Sequence, residues 1–136
     1  MPRTFFDTNI LVYAEDKSEP VKQAKAIELF EEHRRNHTGV VSLQVLQEYF
    51  VNVTRKKHLD PQVARRKVEL LSGLDVAQPD LSGILAAIDL HRLRGLSYWD
   101  ALVVHMARQA GCSVLLSEDL QHGQMIDGVK IVNPFL

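Results

Sequence analysis

Four carboxylates stand where an α/β chain places its chemistry: Asp7, Glu48, Asp100 and Asp119. Asp7 directly follows the apolar run Thr4-Phe5-Phe6, and Asp119 comes shortly after Ser113-Val114-Leu115-Leu116. If both runs are strands of a parallel sheet, both acids fall at the edge where open α/β sheets bind ligands. Glu48 and Asp100 lie on segments of helical spacing and can converge on the same edge. Carboxylates crowded into one cleft repel unless cations neutralise them. An all-oxygen donor set suits Mg²⁺ or Mn²⁺. A cation held there can activate water and stabilise charge on a phosphate in transit.

Each acid also has a purely local explanation. Asp7-Thr8-Asn9 are all good helix-start residues, so Asp7 can simply be a cap. Glu48 lies off the apolar stripe of its helix, where a lone Glu is ordinarily solvated. Asp100 completes Ser97-x-x-Asp100, the pattern of a capping box. Asp119 follows Ser117-Glu118 and can open a short helix. Spacing therefore permits a four-acid site without choosing it over four local roles.

The elements that must position these residues alternate along the chain. After the strand Thr4–Phe6 comes a short helix over Ile10–Ala14. Pro20 opens a second helix that fades near His37-Thr38-Gly39. Val40-Val41 is a strand, and Ser42 caps a helix whose apolar residues Val45, Leu46, Tyr49, Phe50 and Val53 recur at helical spacing. A helix from Asp60-Pro61 to Gly73, a strand at Val76-Ala77 and a helix over Leu81–Leu93 follow. A helix from Ser97 to Gly111, the strand Ser113–Leu116, turns at Gly123 and Gly128, and a strand over Val129–Val132 complete the series. Such alternation predicts a parallel sheet covered on both faces. A chain of 136 residues with no linker or repeat suits one domain, 1–136.

Composition is that of a globular protein, 46% hydrophobic and 24% charged. A net charge of -1 does not by itself point to nucleic acid, so any polyanionic ligand must meet local basic residues or bound cations. One cysteine, Cys112, excludes an internal disulfide and suits a reducing compartment. No apolar run approaches the roughly 20 residues of a membrane helix, and no apolar signal core follows Met1. The expected location is the cytoplasm.

The pieces Phe6-Asp7-Thr8-Asn9-Ile10-Leu11, Ser42-Leu43-Gln44-Val45-Leu46-Gln47-Glu48 and Ser97-Tyr98-Trp99-Asp100-Ala101-Leu102 appear in that order. Leu116-Ser117-Glu118-Asp119-Leu120 and Val132-Asn133-Pro134-Phe135 complete the set. In order and spacing they resemble PIN-domain nucleases, especially the VapC-type toxins of bacterial toxin–antitoxin pairs, over essentially the whole chain. The resemblance implies a three-layer α/β/α sandwich with a short central parallel sheet. It implies a metal-dependent endoribonuclease with Asp7, Glu48, Asp100 and Asp119 as its acids and one or two Mg²⁺ or Mn²⁺ ions. Asp7, Asp100 and Asp119 are the expected ligands, directly or through water, with Glu48 outside them or at a second ion. It further implies that Asn9 shapes the pocket and that Ser117 orients Asp119 or a bound water. Glu118 receives no metal role. The implied partners are an RNA substrate, a small antitoxin whose tail enters the acidic groove, and a second copy in a homodimer.

Other readings and features bear on this expectation. A structure-selective DNA nuclease shares the acid cluster, but commonly carries extra helices for which this chain has little room. A phosphoacceptor signalling module has an early strand-end Asp, yet it wants an acid pair there and a Lys after a late strand, and Asp7-Thr8-Asn9 and Ser117-Glu118-Asp119 supply neither. A nuclease-dead binding module is not favoured, since all four acids are present. The basic runs Arg55-Lys56-Lys57 and Arg65-Arg66-Lys67, with Arg92 and Arg94, are read as solvated helix faces before RNA contacts. The six histidines are read as surface or capping residues. Cys112 is read as packing, and Tyr98-Trp99 as packing at a helix start before stacking on a base.

Overall fold

In the computed structural model, residues 1–136 are all described. The elements follow in the order β1 (Thr4–Phe6), α1 (Thr8–Tyr13), α2 (Pro20–Arg35), β2 (Gly39–Ser42), α3 (Leu43–Arg55) and α4 (Pro61–Leu71). Then come β3 (Asp75–Ala77), α5 (Leu81–Arg94), α6 (Tyr98–Gln109), β4 (Val114–Leu116), β5 (Met125–Ile126) and β6 (Val129–Val132). The strands form one sheet in the order β3-β2-β1-β4-β6-β5.

Strand order dictates where helices lie. From β1 the chain steps outward to β2 and β3, then returns across the sheet to β4 on the other side of β1. Right-handed crossovers in opposite directions place their helices on opposite faces. The helix contacts agree: α1, α2, α3 and α4 pack among themselves, and α5 packs on α6. The expected three layers are thus present. Phe5 and Phe6 point to opposite faces of β1 and both are fully buried, so this strand anchors both halves of the core.

The sheet departs from the all-parallel expectation at one edge. β5 pairs antiparallel with β6 through Ile126↔Val129. Asp127 and Gly128 both take positive φ, 50° and 82°. That is the requirement of a tight two-residue hairpin turn, which Asp-Gly satisfies at low cost. Gly128 is legible as a turn, but β5 is only two residues long and carries no alternation of its own. Helix α1 starts at Thr8, earlier than the expected Ile10, because the Asp7 carboxylate accepts from the Thr8 N–H at 2.8 Å.

One side-chain expectation also changes. His33 is buried, edge-on to Phe6 with ring centroids 5.5 Å apart, and its Nδ1 lies 2.8 Å from Thr38 Oγ1. It is a core histidine, and burial lowers its pKa. Cys112 is buried as expected, and desolvation pushes its thiol up to about 11, so it stays neutral.

Helix α5 is apolar on two opposite sides. Gly83, Ala87 and Leu90 are buried, while Leu81, Ile84, Leu85 and Ile88 form an exposed stripe.

Candidate active site

The reversal of strand order falls between β1 and β4, and ligand crevices of open α/β sheets form outside such switch points. These two strands pair in parallel register, Phe6 opposite Leu116. The next residue on each strand is Asp7 and Ser117, and the Asp7 N–H donates to the Leu116 carbonyl at 3.0 Å. Register alone therefore brings Asp7 beside the Ser117-Glu118-Asp119 turn.

Side chains lock this juxtaposition. Ser117 Oγ donates to Asp7 Oδ2 at 2.8 Å and accepts from the Asp119 N–H at 3.2 Å and the Leu120 N–H at 3.4 Å. Asn9 Nδ2 donates to Asp119 Oδ2 at 3.0 Å and to Asp7 Oδ2 at 3.3 Å. Asn9 Oδ1 accepts from the Glu118 N–H at 3.0 Å, which completes a clasp between the ends of β1 and β4. A single neutral amide thus spans two carboxylates that would otherwise repel.

Glu48 arrives from α3. Its Oε1 accepts from Thr8 Oγ1 at 2.7 Å, tying it to the first turn of α1. Asp100 arrives from the first turn of α6. Ser97 Oγ accepts from the Asp100 N–H at 3.1 Å, but the reciprocal bond of a capping box is not made. The Asp100 carboxylate is therefore not consumed by capping. Asp7, Glu48, Asp100 and Asp119 all line one cavity of about 480 Å³. Local and clustered roles coexist: Asp7 caps α1 and faces the cavity at once.

Burial pushes the Asp7 carboxyl up to about 6, against the lowering bonds from Ser117 and Thr8, and the charges of Asp119 and Asp100 push it further. No three His, Cys, Asp or Glu side chains stand close enough to chelate an ion as they are. The donor set nonetheless suits a hard cation that keeps part of its own hydration, as Mg²⁺ does with one or two carboxylates. Gln44 supports that fit: it lines the cavity, and its Oε1 is buried with no donor. A cation's water can satisfy such an oxygen.

Several residues at the site carry no signal in sequence spacing. Thr8, which holds Glu48, is one. Glu118 is a second: Tyr13 OH donates to its Oε1 at 2.6 Å and Lys22 Nζ to its Oε2 at 2.8 Å. Burial raises the Glu118 pKa, but the Lys22 and Tyr13 bonds outweigh it and the net shift is downward. Tyr13 packs edge-on against Phe135, 5.0 Å between centroids, and Lys22 lies 4.8 Å over the Tyr13 ring. This group fastens α1 and α2 to the turn bearing Asp119. The basic runs divide. Lys67 bonds Glu15 at 2.8 Å and Arg65 pairs with Glu69, but Lys56 and Lys57 line the acidic cavity. Lys57 is bound to Asp16 at 3.0 Å, while Lys56 is exposed. Solvation alone does not describe the first run.

The fold is a layered α/β domain with carboxylates gathered at its switch point, where such folds bind ligands. The PIN domain model matches residues 4–125, and the chain belongs to the PIN-domain family, a nuclease family. Among solved structures, a toxin–antitoxin complex from Klebsiella pneumoniae matches with TM-score 0.69 at 20% identity, covering 96% of this chain and 97% of that chain. VapC20 of Mycobacterium tuberculosis, a sarcin–ricin loop cleaving toxin, gives 0.68 at 19% identity over 85% of this chain and 91% of that one. DNA-bound VapBC from Salmonella typhimurium gives 0.69 at 19% identity, covering 96% and 97%. At these identities the likeness is one of fold. No curated protein matches the sequence. No helix is long and apolar enough to cross a membrane.

Proposed function

We propose that this chain is a single-domain, metal-dependent endoribonuclease and the toxin of a toxin–antitoxin pair, acting in the cytoplasm. The observation that carries the reading is the clasp at the β1–β4 switch point, where Ser117 and Asn9 hold Asp7 and Asp119 together. Membership of a nuclease family and the likeness of fold to VapC toxins support it. Asp7, Asp100 and Asp119 would hold one or two Mg²⁺ or Mn²⁺ ions, with Glu48 as an outer member. When bound, the ion supplies water activation at neutral pH and charge stabilisation on the phosphodiester.

The chain's own residues do the positioning. Ser117 and the Thr8 N–H hold one carboxylate orientation of Asp7, and both bonds favour the ionised form a cation needs. Asn9 fixes Asp119 relative to Asp7, and Thr8 fixes Glu48. Oxygens held in place before the substrate arrives need no reorganisation during the reaction.

The test compares cleavage of single-stranded RNA, tRNA and branched DNA, each with and without EDTA. Cleavage of RNA that chelator abolishes is expected. Preferential cutting of branched DNA would replace the proposal with a structure-selective DNA nuclease, and full RNA cleavage in excess EDTA would remove the metal from it.

Two partners follow from the same reading. A cognate antitoxin presenting a basic side chain complements the acidic cavity. A second copy, in a homodimer, is suited to the exposed Leu81, Ile84, Leu85 and Ile88 stripe, an isologous apolar face. Sedimentation giving only a monomer mass at micromolar concentration would exclude that pairing.

A further inference from the structure

Trp99 is the chain's single tryptophan, and 60% of it is exposed. A tryptophan left so open forgoes one of the largest apolar burials a side chain offers. It sits on the first turn of α6, between Tyr98 and Asp100. Tyr98 is packed against the core and meets the Trp99 ring edge-on, with centroids 5.0 Å apart and planes at 74°. The indole is thus braced by its neighbour at the helix start, as expected, although it stands in solvent. It lines the same cavity as Asp7, Asp100 and Asp119.

Lys56, at the end of α3, lines that cavity too and is exposed, whereas Lys57 is bound to Asp16. A cavity of carboxylates that also offers a braced aromatic plane and an open ammonium suits a ligand with planar rings and negative charge together. A nucleic-acid strand is such a ligand. Base–aromatic stacking works only on a base free of its duplex neighbours, and every base has a face to offer.

We propose that Trp99 is the stacking platform for an unpaired nucleobase of the RNA substrate, next to the phosphate at the acidic cluster, and that Lys56 contacts the strand's backbone. The identity of the strand rests on the ribonuclease reading; the stacking rests on the geometry of Trp99. The platform confines cutting to single-stranded segments, with little preference among bases from the stacking itself.

The lone tryptophan makes the test direct. A single-stranded RNA oligonucleotide is titrated into full-length protein while Trp fluorescence and the anisotropy of a label on the RNA are followed together. Quenching that tracks binding is expected, and dilution of the protein alone should leave the fluorescence per mole of protein unchanged. Trp99→Ala should raise KM for cleavage roughly 5- to 100-fold, with Trp99→Phe recovering most of the loss. An abasic nucleotide at the stacked position should cost the wild type a similar factor and cost Trp99→Ala nothing more. Lys56→Ala should lower the slope of log affinity against log salt by about 1. Binding without quenching, or an unchanged KM in Trp99→Ala, overturns the stacking. If wild-type protein leaves RNA intact, the ribonuclease reading fails, and quenching by RNA or single-stranded DNA still decides for or against the platform.

Discussion

Asp7→Asn is expected to lower RNA cleavage by at least roughly 10²–10³-fold while making the metal-free protein more stable at neutral pH. Most substitutions of buried polar residues lower both quantities, so the opposed signs are the useful part. In the folded chain the Asp7 carboxyl holds its proton up to about pH 6, whereas its ordinary value is 3.8. Between those values the folded state binds more protons than the unfolded state, so stability falls as pH rises. The fall is complete above about pH 6 and amounts to about 3 kcal/mol. Asn in place of Asp7 never ionises and can still accept the Thr8 N–H. Urea unfolding in EDTA should therefore find the variant equal to wild type near about pH 4 and more stable by up to about 3 kcal/mol near about pH 7.5. A variant that loses activity together with stability would mean that Asp7 is an architectural cap and that its ionised form is not what the site uses.

Divalent cation and pH should trade against one another at the same carboxylate. A cation needs Asp7 ionised, so apparent Mg²⁺ affinity, read by calorimetry or by the rise in Tm, should fall about tenfold per unit as pH drops below about 6. Removing the cation with EDTA should abolish cleavage by wild type across the same range. Ser117 lowers the Asp7 pKa through its hydrogen bond, so Ser117→Ala should move this midpoint upward, and Ser117→Thr should restore it. A Mg²⁺ affinity independent of pH from about 5 to about 7 would separate Asp7 from the cation site. Because Asn9 and Ser117 both donate to the Asp7 carboxylate, substitutions at these residues report on one cluster and their effects should not add.

The cavity's charge pattern explains why the net charge of -1 is a poor guide to its ligand. Acids outnumber bases in its lining, and in the proposed reading a cation neutralises them before a phosphate approaches. Lys56 and Lys57 then stand at the same cavity, one bound to Asp16 and the other exposed. The global balance averages over this local alternation.

What the sequence determined by itself was the framework. The apolar runs Thr4–Phe6 and Ser113–Leu116 had to be buried strands, since few polar atoms interrupt them, and period and caps located the helices. Alternation of the two gave a layered α/β chain, and placement after a strand singled out Asp7 and Asp119 on physical grounds. Glu48 was different: nothing in α3 distinguishes it from a solvated Glu, and only family resemblance pointed to it before its bond to Thr8 was seen. Short elements without a period, such as β5, were not legible because a two-residue strand exists only through its partner. Tertiary structure alone decided the rest. Strand order, which put β4 and not β2 on the far side of β1, is a matter of long-range pairing that local propensity does not encode. That pairing set Asp7 against Ser117, let one Asn9 amide bridge two carboxylates, and raised the Asp7 pKa by burial. It also left the Asp100 carboxylate uncapped, Lys56 at the cavity and Trp99 in the open, because hydrogen bonding and exposure depend on neighbours distant in the chain.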